Sequence, residues 1–300
     1  MTERTILLVT NTRRAAAVQF ARETAHRLVK HGIRVAVPSD EGDALDLPDV
    51  TRVDPTADGA AAEGCELVVV VGGDGTVLRG AERARGSGAP LLAVNLGHVG
   101  FLAELEPDQI DEVVSAVVDC DYIVEERMTV EARVLDGDEV VVRTWALNEI
   151  SIEKGPTDRM LELLVEIDGR PLSRWICDGA LVATPTGSTA YSFSAGGPVI
   201  WPAVEAILFV PLIAHALFAR PLVTAPTSVI VMDSVAPDRQ GVLWADGRRS
   251  FVLPHSARVE VCRHAEPVRF ARLADAPFTD RLVAKFGLPV AGWRGGRAST

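Results

Sequence analysis

The sequence is poor in lysine, in closely spaced cysteines and in long apolar runs. Its four cysteines lie far apart with no Cys-x-x-Cys pair, which argues against structural zinc and a disulfide framework and favours a cytoplasmic protein. No apolar run approaches the roughly 18 residues that span a bilayer, and the first residues lack the layout of a secretory signal, so we expect no membrane partner. The net charge of −11 argues against a nonspecific nucleic-acid binder, which needs a basic face.

Hydrophobic residues make up 48% of the 300 residues, so the chain can bury an ordinary core in one large or two ordinary domains. Residues 1–122 alternate continuous apolar strands with amphipathic helices, a pattern typical of a parallel sheet covered on both faces. One such helix is predicted to end at Gly32 in a left-handed cap. The acidic stretch from Ser39 to Gly64 is predicted to be a surface loop or a poorly ordered excursion.

Residues 123–270 are dominated by strand patterns. Asp136-Gly137, Asp168-Gly169 and Asp246-Gly247 are hairpin signals between strand-like runs. Residues 271–300 return to helical spacing, and we expect them to pack back on the first domain. The predicted fold is therefore a Rossmann-like α/β N-terminal domain with a parallel sheet, followed by a predominantly β, sandwich-like C-terminal domain.

A strand of valines ends abruptly in the sequence Gly72-Gly73-Asp74-Gly75. Glycine amides at the carboxyl end of a parallel strand, next to a helix that we expect to begin near Thr76, form an anion cradle. The carboxylate suits such a cradle if it holds a metal ion or accepts a proton from an attacking hydroxyl. The alternative is a plain tight turn. A Walker loop is excluded because no lysine follows a glycine, and Leu78 occupies the third-glycine position of the dinucleotide fingerprint.

A second stretch, Cys177 to Pro198, crowds hydroxyl side chains among glycines around Tyr191. It is either a binding surface with one aromatic face for a base, or a Gly/Ser-rich loop beside a buried turn. Asn148 and Glu149 interrupt an alternating apolar strand. Because neighbours on a regular strand point to opposite faces, both reach one ligand only where the strand ends or bulges. Otherwise one faces solvent and the other pairs with an arginine.

The motif "GGDGT" resembles the signature of the superfamily that contains NAD kinases, diacylglycerol and sphingosine kinases, and 6-phosphofructokinases. Further stretches are similar to those of NAD kinases in particular: "NLGHVGFLAE", "ALNEIS", "PTGSTAYSFSAGGP", "PLIAHALFARPLV" and "APFTDRL". The resemblance extends from about Cys65 to Leu282. It implies a phosphofructokinase-like first domain and an enzyme that converts ATP and NAD into ADP and NADP.

The resemblance also implies roles for individual residues. Asp74 matches the catalytic aspartate that orients or deprotonates the 2′-hydroxyl of the adenosine ribose. The positions that match the donor-phosphate loop are Gly73, Gly75 and Thr76, and Arg79 lies one helical turn further on, where it contacts a phosphate or is a plain surface arginine. The positions that match NAD contacts are Asp74, Gly75, Phe101, Asn148, Glu149, Asp178, Thr186, Thr189, Ala190 and Tyr191. Asp246 is first of all a hairpin residue.

Phosphoryl transfer requires charge neutralisation, so we expect Mg²⁺ or another divalent cation to bridge the phosphates of ATP or polyphosphate, with no chain residue assigned as its ligand. The resemblance implies a homodimer or homotetramer. Two alternatives remain at this point. One is a lipid kinase of the same superfamily, which would need an apolar channel, and the other is a non-enzymatic NAD-binding sensor.

Overall fold

The computed structural model of the chain describes residues 4–48, 50–55, 60–95, 100–102, 109–155, 159–236, 238–273 and 277–290. The chain divides into two compact units: the first is Met1–Glu126 with Val268–Thr300, and the second is Arg127–Pro267. In the described residues, no helix is long and apolar enough to cross a membrane.

The helices are α1 (Ala15–Lys30), α2 (Ser39–Leu45), α3 (Asp74–Ala84), α4 (Ile110–Asp119), α5 (Tyr191–Ser194) and α6 (Phe278–Phe286), with 3₁₀ turns at Ala60–Ala62 and Thr186–Thr189. The strands up to the middle of the chain are β1 (Thr5–Thr10), β2 (Arg34–Pro38), β3 (Thr51–Val53), β4 (Leu67–Val71), β5 (Leu91–Val94), β6 (Ile123–Arg127), β7 (Val130–Asp136), β8 (Glu139–Ala146) and β9 (Glu149–Lys154). The remaining strands are β10 (Leu161–Ile167), β11 (Arg170–Cys177), β12 (Gly179–Ala183), β13 (Ile207–Leu212), β14 (Leu222–Thr224), β15 (Ile230–Ser234), β16 (Gly241–Ala245), β17 (Arg249–Val252), β18 (Arg258–Arg263) and β19 (Val268–Arg272).

The first unit contains a seven-stranded sheet of order β3-β2-β1-β4-β5-β19-β6. Strands β1 to β5 and β19 pair in parallel along it, and every residue of β4 is buried. The order reverses between β1 and β4, where Thr10 lies opposite Val71. Such a reversal, at the carboxyl ends of the strands, is where open α/β sheets bind ligands. The mostly parallel α/β fold predicted for this part of the chain is confirmed.

The prediction of a surface loop from Ser39 to Gly64 is wrong for its first part. Helix α2 follows β2 directly, and Glu41 and Leu45 on it are only 2% and 0% exposed. The sequence shows no helical pattern here because seven residues give less than two full turns of periodicity. Helix α1 ends as predicted, since Gly32 follows it with a φ of +76°. The sequence from Pro107 to Cys120 predicts a helix that Pro107 opens; α4 corresponds to it, and Pro107 itself lies outside the described residues.

The second unit is a sandwich of two six-stranded sheets, which confirms the predicted β-rich domain. One sheet has the order β11-β10-β15-β18-β7-β8 and the other has the order β14-β13-β12-β9-β16-β17, with antiparallel pairing throughout the pairs described. Their inner faces share one apolar core, in which Trp175 stacks on Phe209 with ring centroids 5.4 Å apart. Alternation of buried and exposed positions along the strands produces this inner face.

The chain changes sheets at the polar pair that interrupts the apolar pattern. Strand β8 belongs to one sheet and β9 to the other, so the run that the sequence presents as one strand breaks at Leu147 and Asn148. The strand does end there, as a shared ligand site requires. The Asp-Gly pairs at 168–169 and 246–247 have positive φ at both residues, which matches hairpin turns of the primed type.

Candidate active site

The glycine-rich loop joins β4 to α3 at the carboxyl edge of the parallel sheet. Gly72 has a φ of +155°, and a Cβ there would overlap the side chain of Thr76, so the turn requires glycine at this position. Gly73 is the extended N-cap, and its carbonyl oxygen accepts the Thr76 amide at 2.7 Å. Helix α3 begins at Asp74, two residues earlier than the sequence predicts. Its first amides therefore face the same edge as the loop, which suits an anionic ligand.

The Asp74 carboxylate is fixed by backbone amides from a neighbouring turn. Its two oxygens accept the amides of Phe101 and Leu102, each at 3.2 Å. A Cβ on Gly100 would overlap the same carboxylate, so this approach needs glycine. The arrangement holds the side chain of Asp74 in one orientation at the end of the sheet.

Arg79 points toward a buried carboxylate. Its Nη2 donates to the Thr10 carbonyl oxygen at 2.7 Å and lies 3.1 Å from Glu41 Oε1. The same Glu41 pairs with Arg83 and accepts the Thr10 amide at 2.6 Å. Burial raises the pKa of Glu41, and the two arginines oppose that shift. The cluster joins α2 and α3 to the end of β1, and so it secures the helix that carries Asp74.

Phe101 lies against the C-terminal helix of the same unit. The ring is 9% exposed, and its centroid is 6.1 Å from that of Phe278 and 5.8 Å from that of Phe286. Arg281 donates to the carbonyl oxygen of Phe101 at 3.2 Å. The resemblance predicts an adenine contact for Phe101, and that role stays a prediction.

In the second unit, Asp246 holds the backbone of the polar pair. Its carboxylate accepts hydrogen bonds from the backbone amides of Leu147 at 3.0 Å and Asn148 at 2.6 Å. The backbone amide of Asp246 donates to the backbone carbonyl oxygen of Glu149 at 2.9 Å. Asp246 is 6% exposed and pairs with Arg249 at 3.4 Å. The hairpin signal at Asp246-Gly247 hides this role, because the amides it accepts belong to a segment almost a hundred residues earlier.

The hydroxyl-rich stretch packs on the same backbone from another side. Thr184 accepts the Gly187 amide at 3.0 Å and donates its hydroxyl to the Leu147 carbonyl at 2.6 Å. A Cβ on Gly187 would overlap the carbonyl of Asn148, so the two segments touch backbone to backbone. This close approach explains the glycine among the hydroxyls without any appeal to a ligand.

Glu149 carries a buried oxygen atom that lacks a partner among the described residues. The side chain is 6% exposed and accepts the Tyr191 amide, but its Oε2 has no hydrogen bond there. Burial, reinforced by the nearby Asp246, raises the pKa of Glu149 to about 8. Buried polar atoms are nearly always satisfied, so a hydroxyl of a bound ligand fits this position.

Two cavities open on the outer face of the sheet that contains β9 and β12. One, of about 490 Å³, is lined by Glu149, Ser151, Glu153, Lys154, Gly155, Tyr191, Val242, Trp244 and Gly247. The other, of about 480 Å³, is lined by Glu153, Lys154, Gly155, Asp178, Tyr191, Ser194, Ala195, Pro211, Leu212 and Ile213. Both volumes fall in the range of small-molecule sites.

Among the predicted NAD contacts, Glu149, Tyr191 and Asp178 line these cavities. Thr186 and Thr189 belong to the 3₁₀ turn just before, where Thr189 donates its hydroxyl to the Thr186 carbonyl at 3.3 Å, and Ala190 links that turn to Tyr191. The sequence interpretation missed Lys154 and Trp244. The signal for Trp244 is the alternation along β16, where Val242 and Trp244 lie between buried residues and therefore share the opposite face of the sheet.

The described residues contain no group of three or more His, Cys, Asp or Glu side chains that could hold a metal ion.

Both parts of the chain match models of known domains. Residues 6–122 match the ATP-NAD kinase N-terminal domain, and residues 147–273 match the ATP-NAD kinase C-terminal domain. The class of protein is thus a two-domain ATP-dependent kinase.

Full-length relatives and solved structures agree. The NAD kinase of Thermobifida fusca is 56% identical over 98% of this chain and 92% of its own length, and NAD kinase 2 of Streptomyces avermitilis is 56% identical over 97% of each. The chain belongs to the NAD kinase family, and it is an enzyme that phosphorylates NAD.

The crystal structure of yeast NADH kinase complexed with NADH shares the fold, with a TM-score of 0.87, 24% identity and coverage of 96% of this chain and 89% of that one. An NAD kinase from Archaeoglobus fulgidus in complex with ATP aligns with a TM-score of 0.67 and 25% identity, over 95% of this chain and 98% of that one. Family membership replaces the lipid-kinase and sensor alternatives.

Proposed function

We propose that this enzyme transfers the γ-phosphoryl group of ATP to the 2′-hydroxyl of the adenosine ribose of NAD, with Asp74 as the catalytic residue. The observation that carries the proposal is the fixed carboxylate of Asp74 at the end of a glycine loop whose amides suit an anion. A secondary hydroxyl is a weak nucleophile. Asp74 orients it and accepts its proton as the bond to phosphorus forms, a role worth about 10²–10⁴-fold in rate.

The donor's phosphates are received by the loop that precedes and begins α3. Gly73 and Gly75 supply amides there, and the lack of Cβ atoms at the glycines lets a phosphate approach the backbone. Thr76 contributes its hydroxyl, since its amide already donates to the Gly73 carbonyl at 2.7 Å. Arg79 contributes positive charge from the next turn, although its guanidinium is also held by Thr10 and Glu41. ATP is the donor that family membership supports. Polyphosphate, which carries the same phosphoanhydride bond, is the alternative donor, and assays of NADP formation with each donor in parallel decide between them.

We assign the dinucleotide to the second unit. Asn148 and Glu149 contact ribose hydroxyls, and the unpartnered Oε2 of Glu149 supports this assignment. Tyr191 offers its ring to a base, with Thr186, Thr189 and Ala190 shaping the adjoining turn. Asp178 contacts the nicotinamide side, and Phe101 lies beside the adenine. In this division, residues 1–122 receive the donor and supply Asp74 and Phe101, and residues 123–270 supply the other contacts to NAD.

A divalent cation, Mg²⁺ in the first instance, neutralises the phosphates. Hard oxygen ligands suit it, and magnesium commonly reaches kinase sites on the substrate's phosphates with few protein ligands. We further propose that the enzyme is a homodimer or homotetramer. We also propose a cytoplasmic location, which the four free cysteines support.

The test is the Asp74→Asn variant. We expect turnover to fall at least about 10²-fold while NAD still binds, because the amide keeps the shape and loses the base. NADP formation gives the rate and calorimetry gives NAD affinity. Asp43→Asn is the matched control, since Asp43 lies in the same unit with a side chain that is 89% exposed. Near-normal turnover of Asp74→Asn would remove Asp74 from the chemistry.

A further inference from the structure

The two cavities of the second unit share one part of their lining. Glu153, Lys154, Gly155 and Tyr191 line both of them. Each cavity alone is large enough for one nucleoside-sized group. A molecule that fills both must therefore carry two such groups, joined by a linker that passes the shared lining.

Lys154 brings the positive charge to this lining. In both sets of lining residues it is the one lysine or arginine, whereas Glu149, Glu153 and Asp178 carry carboxylates. The carboxylates lie on both sides of the lysine: Glu149 in the first cavity, Asp178 in the second and Glu153 in both. A ligand with negative charge at its centre and hydroxyl-bearing sugars at its ends matches this distribution.

The ammonium group of Lys154 has hydrogen-bonding capacity left over. Its side chain is 28% exposed, and its ion pair with Asp178 spans 3.9 Å between Nζ and Oδ1, which exceeds hydrogen-bond length. Among the residues that the structure describes, the ammonium makes no hydrogen bond. The backbone is nevertheless fixed, because the Lys154 amide donates to the Asp178 carbonyl at 3.0 Å. The ammonium group thus keeps three donors for a ligand, on a backbone that is held in place.

We propose that Lys154 binds the diphosphate that links the two nucleosides of NAD, and that this contact makes the site select dinucleotides over single nucleosides. The inference rests on the proposed placement of NAD in the second unit. It gives Lys154 a positioning role: the lysine fixes the middle of the substrate and thereby the placement of the adenosine ribose. A charge-assisted hydrogen bond to phosphate is stronger than a neutral one, and about 10-fold in affinity is the expected size.

Three ligands separate this role from general support of the pocket. Adenosine lacks phosphate, ADP-ribose carries the diphosphate without nicotinamide, and NAD has both. Calorimetry on the full chain measures the affinity of each for the wild type, Lys154→Met and Lys154→Arg. We expect Lys154→Met to bind ADP-ribose and NAD about 10-fold more weakly and adenosine unchanged. Lys154→Arg keeps the charge and should retain the affinity for ADP-ribose within about 3-fold.

Raised salt adds a second readout, because screening should weaken ADP-ribose binding to the wild type more than to Lys154→Met. Lys30→Met is the matched control, a lysine in the other unit, and it should leave all three affinities unchanged. Thermal melting checks that each variant is folded, and Lys154→Gln, which also removes the charge, takes the place of Lys154→Met if that variant unfolds.

Several results would overturn the proposal. Equal loss for all three ligands would make Lys154 a support of the pocket, and loss confined to NAD would move its contact to the nicotinamide half. No loss at all would leave the lysine without a role in binding. A wild type that binds neither NAD nor ADP-ribose would instead refute the placement of NAD itself, and this proposal with it.

Discussion

The two carboxylates that we assign to the site, Asp74 and Glu149, are held in opposite ways. Both oxygens of Asp74 accept backbone amides, and its surroundings are partly open. Glu149 is 6% exposed, with one oxygen lacking a partner among the described residues and a pKa raised to about 8 by burial. The comparison shows that the protein provides hydrogen-bond donors for both oxygens of Asp74, whereas Oε2 of Glu149 has no donor among the described residues. The first arrangement suits a fixed group in the chemistry, and the second suits recognition of a hydroxyl.

The largest effect in this comparison is expected from Gly187→Ala. The added methyl group would overlap the Asn148 carbonyl, which is backbone and has little freedom to move. We expect a loss of about 3 kcal/mol in the free energy of unfolding, with NAD affinity reduced wherever the protein remains folded. Chemical denaturation measures it.

Gly196→Ala serves as the control for this variant. It has a φ of +83° but nothing within 4 Å of the added methyl, so it isolates the cost of backbone strain at about 1 kcal/mol. A Gly187→Ala protein that is no less stable than Gly196→Ala would show that the two segments yield easily.

Asp246→Asn should come next. The carboxylate accepts the amides of Leu147 and Asn148, and an amide side chain offers one acceptor oxygen in place of two. We expect NAD affinity to fall about 10-fold with ATP affinity unchanged, because hydrogen bonds to charged groups contribute about 1.5–3 kcal/mol. Titrations with each nucleotide measure this. Equal weakening of both would point to general unfolding.

The pH dependence of stability separates Glu149 from other groups. A carboxyl whose pKa rises on folding stabilises the folded state fully below its unfolded pKa of about 4.5 and loses that contribution as the pH rises to about 8. Between pH 5 and 8 the free energy of unfolding of the wild type should therefore fall more than that of Glu149→Gln, which has no proton to release. An equal change in the free energy of unfolding of both proteins between pH 5 and 8, measured by chemical denaturation, would contradict the raised pKa of Glu149.

Gly100→Ala probes the Asp74 side of the comparison, with the smallest effect. The methyl group would meet the Asp74 carboxylate, whose end can rotate away, so we expect turnover to fall about 3-fold, or about 0.6 kcal/mol in the barrier, with little change in stability. Steady-state NADP formation and thermal melting measure the two quantities. Unchanged turnover would mean that the orientation seen for Asp74 is not the one that matters in catalysis.

Local patterns in the sequence predicted much of the fold. The buried valines of β4, the cap at Gly32 and the three Asp-Gly turns act over a few residues, so their structure follows from their neighbours. The pair Asn148-Glu149 indicated a strand end as one of two alternatives, because two adjacent polar side chains cannot share a face of a regular strand. The structure selects that alternative, since β8 ends at Ala146 and β9 begins at Glu149.

The roles of Glu41 and Asp246 could not be predicted in this way. Glu41 is one acid in an acidic stretch, and its burial is made tolerable by partners distant in sequence: the Thr10 amide, Arg79 and Arg83. Asp246 meets the amide of Asn148 across 98 residues. Such roles depend on tertiary neighbours, which no periodicity encodes. The contact predicted between Phe101 and adenine stays a prediction, because it concerns a ligand and not a contact within the chain.

The pairing of Glu41 also limits how this enzyme can be shortened. In the sequence, residues 39–64 have the appearance of an acidic loop that could be deleted. A deletion that includes Glu41, however, would remove the acceptor that two arginines and the Thr10 amide share. A shortened chain would need another acidic residue at the position of Glu41 to hold α3, the helix that begins with Asp74, in place. Helix α2 thus stabilises the first unit through Glu41, and a deletion designed to shorten the chain should begin after α2.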